Sequence, residues 1–207
     1  MKNFYVLRHG QTTANTEHRL QGHTDTHLNE TGREQARHAG RVLARLGIRP
    51  DRVIVSPLVR VWETAEEATG MPRDRFVIDP RIIEMGFGVL EMITDDEMTE
   101  TFYREFHVET DHYHAPEGGE SFYDVIGRIG DFLETMRSLP ETGETVLVVS
   151  HGAAIHAMIS YLNQDPITDF WKIHVGNCAI LKITLGDERE LGEDRFEFIE
   201  EGFYPGR

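Results

Sequence analysis

Cysteine is almost absent from this chain of 207 residues, since Cys178 is its only one. An internal disulfide bond is therefore excluded. Cys178 stands directly before the apolar stretch AILKITL, and we expect a buried structural thiol there. Apolar runs long enough to span a membrane are also absent. The first residues lack the basic, apolar and small-residue pattern of a secretory signal, so we expect a cytoplasmic protein with no membrane partner.

Basic residues are scarce as well. Lys and Arg together number 21, against 36 Asp and Glu, which gives a formal net charge of −15. Affinity for nucleic acid comes mainly from basic side chains, so we expect no nucleic-acid partner. A small anion could still bind, but only where several cations are concentrated locally against the overall negative field.

Strand-like and helix-like segments alternate along the chain, which is typical of an α/β protein. Strand patterns occupy residues 3–8, 51–56, 75–79 and 145–150. The last of these is almost continuously apolar, as expected for a central strand. Residues 179–185 and 195–200 alternate with period two around a charged turn and predict an antiparallel hairpin. We predict one domain over residues 1–207, a three-layer α/β/α sandwich whose mostly parallel central sheet has an antiparallel edge strand.

Helix patterns occupy residues 29–47, 57–70, 120–136 and 151–162. Thr31 and Glu34 have the spacing of a capping box, Pro57 would stand in a first helical turn, and Ser121 is a candidate N-cap. Residues 93–117 are irregular and acidic. We expect this insertion to be partly helical and to form a lid over the strand ends.

Three of the predicted strands end in residues suited to anion binding. Arg8-His9-Gly10 follow the first strand, Ser56 and then Arg60 follow the second, and Ser150-His151-Gly152 follow the apolar central strand. The carboxyl ends of parallel neighbours lie at one edge of a sheet, so two Arg and two His would converge there. The helix beginning at Gly152 adds backbone N–H groups and a positive dipole end. Such a site favours a small dianion, and phosphate fits best.

A histidine at a strand end is open to three interpretations, namely a core residue, a metal ligand or a nucleophile. The chain has 11 histidines, and His107, His112 and His114 lie close together in sequence. No HExxH, CxxC or carboxylate–histidine arrangement accompanies them. We therefore expect neither a metal nor another cofactor.

Several longer motifs make the pattern specific. LRHGQTTAN, RLQGHTDTHLNETGREQA, SPLVRVWETA, IIEMGFGVLE, PEGGES and VVSHGAAIHAM cover most of residues 4–160. In this order the motifs resemble those of the histidine phosphatase superfamily, in the branch that includes phosphoglycerate mutase. The resemblance implies an enzyme that transfers a phosphoryl group of a small substrate.

The resemblance also implies roles for individual residues. His9 matches the nucleophile that becomes a phosphohistidine, Glu84 matches the general acid and base, and His151 matches the second histidine, which donates to the transferring group. The remaining matches are the phosphate contacts Arg8, Arg60, Asn15 and Gly152 and the substrate contacts Thr12, Gln21 and Gly22. A neutral imidazole is a competent nucleophile when one ring nitrogen is free and the other is held as N–H.

Three functions remain open at this point. Residues 93–117 contain eight acidic residues and one cation, Arg104, a composition expected to repel a multiply charged phosphoglycerate. We therefore prefer a phosphatase to a mutase. A non-catalytic module that binds a phosphorylated ligand is the third alternative, although none of the matched catalytic residues is missing. The dipeptide Glu91-Met92 stands where many relatives have Glu-Gly, and this departure predicts a changed loop conformation.

Overall fold

A mixed β-sheet forms the middle layer of the protein. The computed structural model describes residues 2–140, 142–187 and 193–203. The strands are β1 (Lys2–Arg8), β2 (Arg52–Val55), β3 (Val77–Ile78), β4 (Val146–Ser150), β5 (Ile180–Leu185) and β6 (Arg195–Glu200). Within the described residues they form one six-stranded sheet in the order β3-β2-β4-β1-β5-β6.

The direction of the strands confirms the predicted sheet. β1, β4, β2 and β3 are parallel to one another, and β5 is antiparallel to both β1 and β6. The predicted hairpin is therefore present at the edge of a mostly parallel sheet. The charged turn predicted between β5 and β6 includes residues 188–192, which lie outside the described residues.

Helices cover both faces of the sheet, as predicted for a three-layer sandwich. The helices of the described residues are α1 (Thr13–Thr16), α2 (Glu30–Arg45), α3 (Val59–Thr69), α4 (Glu100–His107), α5 (Phe122–Ser138) and α6 (Gly152–Asn163). Apolar residues of α2 and α3 pack on one face, and those of α5 and α6 pack on the other. No helix among the described residues combines the length and the apolar character that crossing a membrane would require.

The helix ends differ from the predictions at two places. The N-cap of α2 is Asn29, whose side chain accepts a hydrogen bond from the Gly32 N–H at 2.8 Å; the predicted Thr31–Glu34 capping box is wrong because Thr31 already lies in the first turn. Pro57 is not in the first turn of α3 either, because the extended residue Leu58 is the N-cap and the helix begins after it. Ser121 is the N-cap of α5, as predicted.

The sheet register brings the three predicted strand ends to one edge. Arg8 at the end of β1 pairs with Ser150 at the end of β4, and Val55 at the end of β2 pairs with Val149. The residues that follow β1, β2 and β4 therefore start at the same level. This edge is the carboxyl end of the parallel strands, where ligands of open α/β sheets bind.

Residues 93–117 are partly helical, as predicted. A 3-10 turn over Asp95–Glu97 precedes α4. α4 is anchored by Phe106, which is buried and whose ring contacts those of Phe122 and Trp171. This anchor fixes the helix beside the carboxyl edge of the sheet.

Candidate active site

A cavity of about 350 Å³ opens at the carboxyl edge of the sheet. We call it the strand-end cavity, and its wall includes Arg8, His9, Arg60 and Glu84. A cavity of about 420 Å³ lies at the other end of the strands, beside Lys2, Arg52 and Glu144. Of the two, the strand-end cavity holds the side chains that the sequence singles out.

His9 has the geometry of a nucleophile. Its ring is buried, and Nδ1 lies 2.7 Å from the carbonyl oxygen of Gly10. A carbonyl can only accept, so Nδ1 carries the proton and Nε2 keeps its lone pair. Burial, followed by the positive charges of Arg60 and Arg8, holds the pKa of His9 well below its ordinary value. The imidazole is therefore neutral near pH 7.

His151 lies directly behind His9. The two ring centroids are 5.3 Å apart, and His151 is fully buried rather than part of the cavity wall. Its Nε2 lies 2.6 Å from the hydroxyl of Ser56, whereas its buried Nδ1 has no hydrogen-bond partner within the part of the chain that the structure describes. Burial, with further contributions from Arg60 and His9, holds the pKa of His151 well below its ordinary value.

Arg60 is buried completely, and its guanidinium is held by backbone carbonyls. Nη1 donates to the carbonyl of Thr24 at 2.9 Å, and Nη2 donates to that of Gly22 at 2.8 Å. Burial lowers its pKa to about 10, so Arg60 stays charged near pH 7. Because both partners are uncharged, its positive charge is available to an anion.

Arg8, which directly precedes His9 in the sequence, is also held by a backbone carbonyl. Its Nη1 donates to the carbonyl of Val175 at 2.5 Å, and burial lowers its pKa. Gly152, the first residue of α6, lies beside it; a Cβ atom built on Gly152 would be 3.4 Å from the Arg8 Cζ. The start of α6 and the Arg8 guanidinium thus face the same part of the cavity.

Buried polar atoms without partners are concentrated at this site. Among the described residues four such side-chain atoms occur, and three of them are Arg8 Nε, Arg60 Nε and His151 Nδ1. A buried polar group that forms no hydrogen bond costs about 1–3 kcal/mol, and most proteins avoid this cost. Three of them around one imidazole therefore indicate a site built for an acceptor-rich anion.

Glu84 reaches the cavity from the segment that follows β3. Its Oε1 accepts hydrogen bonds from the backbone N–H groups of Met85 at 3.0 Å and Ala154 at 3.2 Å. The second of these bonds fixes the carboxyl group on the first turn of α6. Glu84 therefore stands at the cavity wall with Arg8, His9 and Arg60.

The other residues predicted from the sequence divide into two groups. Asn15, Gln21, Gly22 and Gly152 line the cavity. Thr12 does not: it is fully buried, and its hydroxyl bonds Gln21 Oε1 at 2.9 Å while its backbone N–H bonds Asn15 Oδ1 at 3.0 Å. The expectation that Thr12 contacts substrate is not supported by this position, because its polar atoms are used to hold two residues that do line the cavity.

The remaining wall of the cavity was predicted only as a lid formed by residues 93–117, without its individual residues. It consists mainly of aromatic rings and imidazoles, contributed by Phe87, Phe106, His107, His156, Trp171 and His174. The predicted lid accounts for Phe106 and His107, whereas the aromatic character of residues 170–171 does not distinguish a cavity wall from a core.

The acidic residues of 93–117 do not face the cavity. Only Phe106 and His107 of this segment line it, and six of the eight acidic residues are exposed while Glu105 and Glu109 are half-buried. These carboxylates therefore do not contact a ligand in the cavity, and the expected repulsion of a charged substrate by this segment stays a prediction about its longer-range field.

Met92 does not change the loop in the expected way. Its φ is +67°, which is the left-handed conformation that glycine adopts without cost. The backbone therefore makes the kind of turn that a Gly favours, and Met92 accepts the steric penalty.

The comparison with protein families agrees with this geometry. Residues 4–193 match the model of the histidine phosphatase superfamily, branch 1. The chain belongs to this superfamily, whose members include enzymes named as phosphatases and as phosphoglycerate mutases.

Curated relatives carry the name of a mutase. A probable phosphoglycerate mutase GpmB from Erwinia tasmaniensis is 34% identical over 186 residues, which cover 88% of this chain and 85% of the relative. A protein of the same name from Escherichia coli O1:K1 is 33% identical over the same length.

Solved structures with the same fold carry the names of phosphatases. A mutant phosphoserine phosphatase from Entamoeba histolytica, in complex with phosphoserine, superposes with a TM-score of 0.81 at 25% identity, over 97% of this chain and 98% of that one. A mycobacterial glucosyl-3-phosphoglycerate phosphatase, in complex with VO3, has a TM-score of 0.74 at 28% identity, over 96% and 97% of the two chains.

Proposed function

We propose that this protein is a phosphatase that hydrolyses a small phosphomonoester through a phosphohistidine at His9. The observation that carries the proposal is the neutral His9 imidazole, with a free Nε2, beside three buried nitrogens without partners: the donors Arg8 Nε and Arg60 Nε, and His151 Nδ1, which is a donor when the Ser56 hydroxyl donates to Nε2. A phosphoryl group carries three oxygens that accept hydrogen bonds, so it would satisfy these donors while it reacts with His9.

In the first half-reaction His9 Nε2 attacks the phosphorus atom and the bond from phosphorus to the leaving oxygen breaks. The carboxyl group of Glu84 gives its proton to that oxygen, which departs as an alcohol. Arg8 and Arg60 neutralise the charge on the transferring group, as the Arg fork suits paired phosphate oxygens. The phosphoryl group is then bonded to Nε2.

In the second half-reaction water replaces the alcohol. The Glu84 carboxylate takes a proton from the water, the water oxygen bonds to phosphorus, and the bond between phosphorus and Nε2 breaks. Inorganic phosphate leaves, and His9 returns to its neutral form with Nδ1–H still bonded to the Gly10 carbonyl.

The other residues of the cavity wall complete the proposed site. We assign phosphate contacts to Asn15 and Gly152, and contacts with the leaving group to Gln21 and Gly22, all of which line the cavity. Thr12 has a positioning role, since it holds Asn15 and Gln21. The segment of residues 93–117 serves as a partial lid within a single domain, with Phe106 and His107 as its inner surface.

The cations of the wall support a phosphatase over a mutase. A mutase must bind the carboxylate of a phosphoglycerate in addition to its phosphate. Besides Arg8 and Arg60, the wall contains Arg19. Arg19 is already engaged, because it donates hydrogen bonds to the Glu17 carboxylate at 2.6 Å and to the Met92 carbonyl at 2.7 Å. Mutase activity is the second candidate because the curated relatives bear that name.

The central test is removal of the nucleophile. We expect His9→Ala to reduce hydrolysis of p-nitrophenyl phosphate by about a thousandfold or more, as loss of a nucleophile does in other enzymes. Wild-type protein mixed with substrate and quenched in alkali should carry phosphohistidine, detected by its ³¹P resonance. His112→Ala, an exposed histidine outside the cavity wall, is the control and should keep full activity. A His9→Ala protein with the wild-type rate would disprove the proposal.

Two further measurements separate the candidates. We expect release of inorganic phosphate from a panel of phosphomonoesters to exceed interconversion of 3- and 2-phosphoglycerate; a faster interconversion would favour the mutase. We also expect full activity in EDTA, since Arg8 and Arg60 supply the positive charge. Loss of activity in EDTA that a divalent ion restores would contradict this.

A further inference from the structure

The orientation of Arg60 depends on a short loop. Its two terminal nitrogens donate to the carbonyls of Gly22 and Thr24, in the loop of residues 22–24. Asp25, the residue that follows this loop, accepts a hydrogen bond from the Val59 N–H at 2.8 Å, at the start of α3. Any shift of this loop would therefore move the guanidinium. The loop itself contains no helix or strand, so something else must hold it in place.

The carboxylate of Glu91, which is distant in sequence, holds this loop in place. Its Oε1 accepts a hydrogen bond from the His23 N–H at 2.8 Å, and its Oε2 accepts one from the Thr24 hydroxyl at 2.5 Å. The carboxylate also packs directly on Gly22, where a Cβ atom would come within 2.3 Å of Oε1. One carboxylate thus contacts three consecutive residues of the loop, and two of them, Gly22 and Thr24, supply the carbonyls that accept hydrogen bonds from Arg60.

The segment that carries Glu91 is fixed by its own backbone bonds. The Met92 N–H donates to the carbonyl of Leu20 at 2.6 Å, and the Leu20 N–H donates to the carbonyl of Ile93 at 3.0 Å. The left-handed turn at Met92, with φ +67°, belongs to this pairing. Glu91 is therefore presented to the loop from a rigid base.

We propose that Glu91 is a positioning residue for Arg60, which it orients by hydrogen-bonding the loop of residues 22–24. This inference rests on the proposed function, because it assigns the Arg60 guanidinium to a bound phosphate. Glu91 does not bond Arg60 itself, and no carboxylate among the described residues does. The loop thus orients the cation through uncharged carbonyls, and the positive charge is kept for the ligand.

The hydrogen bonds of Glu91 are strong enough for this role. Burial alone would raise the pKa of Glu91, but the hydrogen bonds from Thr24 and His23 outweigh it and hold the pKa below its ordinary value. The group is therefore an ionised acceptor near pH 7, and hydrogen bonds to a charged acceptor are stronger than neutral ones.

The test is the affinity of the folded protein for inorganic phosphate and for orthovanadate, measured by calorimetry, which requires no turnover. We expect Glu91→Met, which removes both acceptor oxygens at similar size, to weaken binding about tenfold, a coupling typical of residues in one network. Glu91→Gln should restore most of the affinity, because its amide oxygen can accept from His23 and its N–H can donate to the Thr24 hydroxyl. Glu34→Met, a change at an exposed carboxylate of α2, is the matched control and should bind as the wild type does.

A double-mutant cycle with Arg60→Met shows whether Glu91 acts on phosphate affinity through Arg60 or supports the site independently of it. In the Arg60→Met background, Glu91→Met should cause no further loss of phosphate affinity, since its effect passes through Arg60. Arg60→Lys replaces Arg60→Met if thermal unfolding shows that the latter does not fold. Additive losses, unchanged affinity in Glu91→Met, or no recovery in Glu91→Gln would overturn the inference while the phosphatase stands. A wild-type protein that binds neither anion would overturn the proposed function, and this inference with it.

Discussion

The two walls of the strand-end cavity are built in different ways. The phosphate wall consists of Arg8, His9 and Arg60, with the buried His151 behind them. These residues follow the ends of β1, β2 and β4 and are held by contacts with the sheet, its flanking helices and backbone carbonyls. The opposite wall is assembled from turns, from the short helix α4 and from residues 171–175, and presents aromatic rings and imidazoles.

The difference separates chemistry from selectivity. The phosphate wall meets a group that every phosphomonoester shares, whereas the opposite wall meets the part that varies. Binding residues are often placed on loops supported by a rigid scaffold. We therefore expect changes in the phosphate wall to lower the activity on all substrates alike. The effect of changes at Glu84, at the residues that position it and in the opposite wall should depend on the leaving group.

Apart from loss of the nucleophile, the largest effect should come from Ser56, whose hydroxyl lies 2.6 Å from His151 Nε2. When its hydroxyl donates to Nε2, Nδ1 of His151 carries the proton and faces the phosphoryl group as a donor. Ser56→Ala leaves the tautomer unfixed. We expect kcat to fall about a hundredfold, the usual cost of a lost transition-state donor, and to fall equally for aryl and alkyl phosphates in steady-state assays.

A buried serine outside the site provides the control for this change. Ser160 lies in α6 and is also buried, and Ser160→Ala should keep the wild-type kcat. If Ser56→Ala slowed one class of substrate and spared another, the phosphate wall would not be the common element that the comparison requires.

The phosphate wall was largely predictable from the sequence. Strands are short apolar patterns, and parallel neighbours must end at one edge, so a polar residue after each strand can be placed without coordinates. This reasoning located His9, Arg60 and His151. It could not find the contact between Ser56 and His151, because a bond between residues 95 positions apart depends on the rotamers of both side chains.

The opposite wall was not predictable for a physical reason. The acidic composition of residues 93–117 gives the number of charges but not their direction, and the structure turns most of them to water. The aromatic pattern predicts burial of Phe106 and Trp171 but not that both border a cavity. At Met92 the preference for glycine was overridden by the backbone hydrogen bonds that Met92 and Ile93 form with Leu20, a tertiary effect that no local propensity contains.

A smaller effect, selective for the leaving group, should come from Arg128. Its guanidinium donates to the carbonyls of Arg81, Ile83 and Glu84 and is paired with Glu120 at 2.8 Å. It therefore holds the backbone that carries Glu84. We expect Arg128→Met to lower kcat/KM about tenfold for alkyl phosphates, whose leaving oxygen needs a proton, and far less for p-nitrophenyl phosphate, whose leaving group departs without one.

The ratio of the two kcat/KM values is the measurement that checks this prediction. Arg41→Met, a change at an exposed Arg of α2, should leave the ratio unchanged. Equal losses for both substrates would mean that Arg128 supports the whole site, and the boundary between the two walls would then lie elsewhere.

The smallest effect should come from Met92, whose left-handed backbone is a local cost that the loop carries without any role in the chemistry. The left-handed conformation costs a non-glycine residue about 1–2 kcal/mol of stability. Glycine avoids this cost, but part of the gain is offset because glycine loses more conformational entropy on folding. We therefore expect Met92→Gly to raise the free energy of unfolding by about 0.5–1 kcal/mol, measured by urea denaturation, with kcat/KM unchanged. Met98→Gly, a change at a residue whose φ is −69°, is the control and should lower stability instead. A Met92→Gly protein that lost activity would show that the Met92 side chain takes part in the opposite wall, because the backbone conformation is retained by glycine.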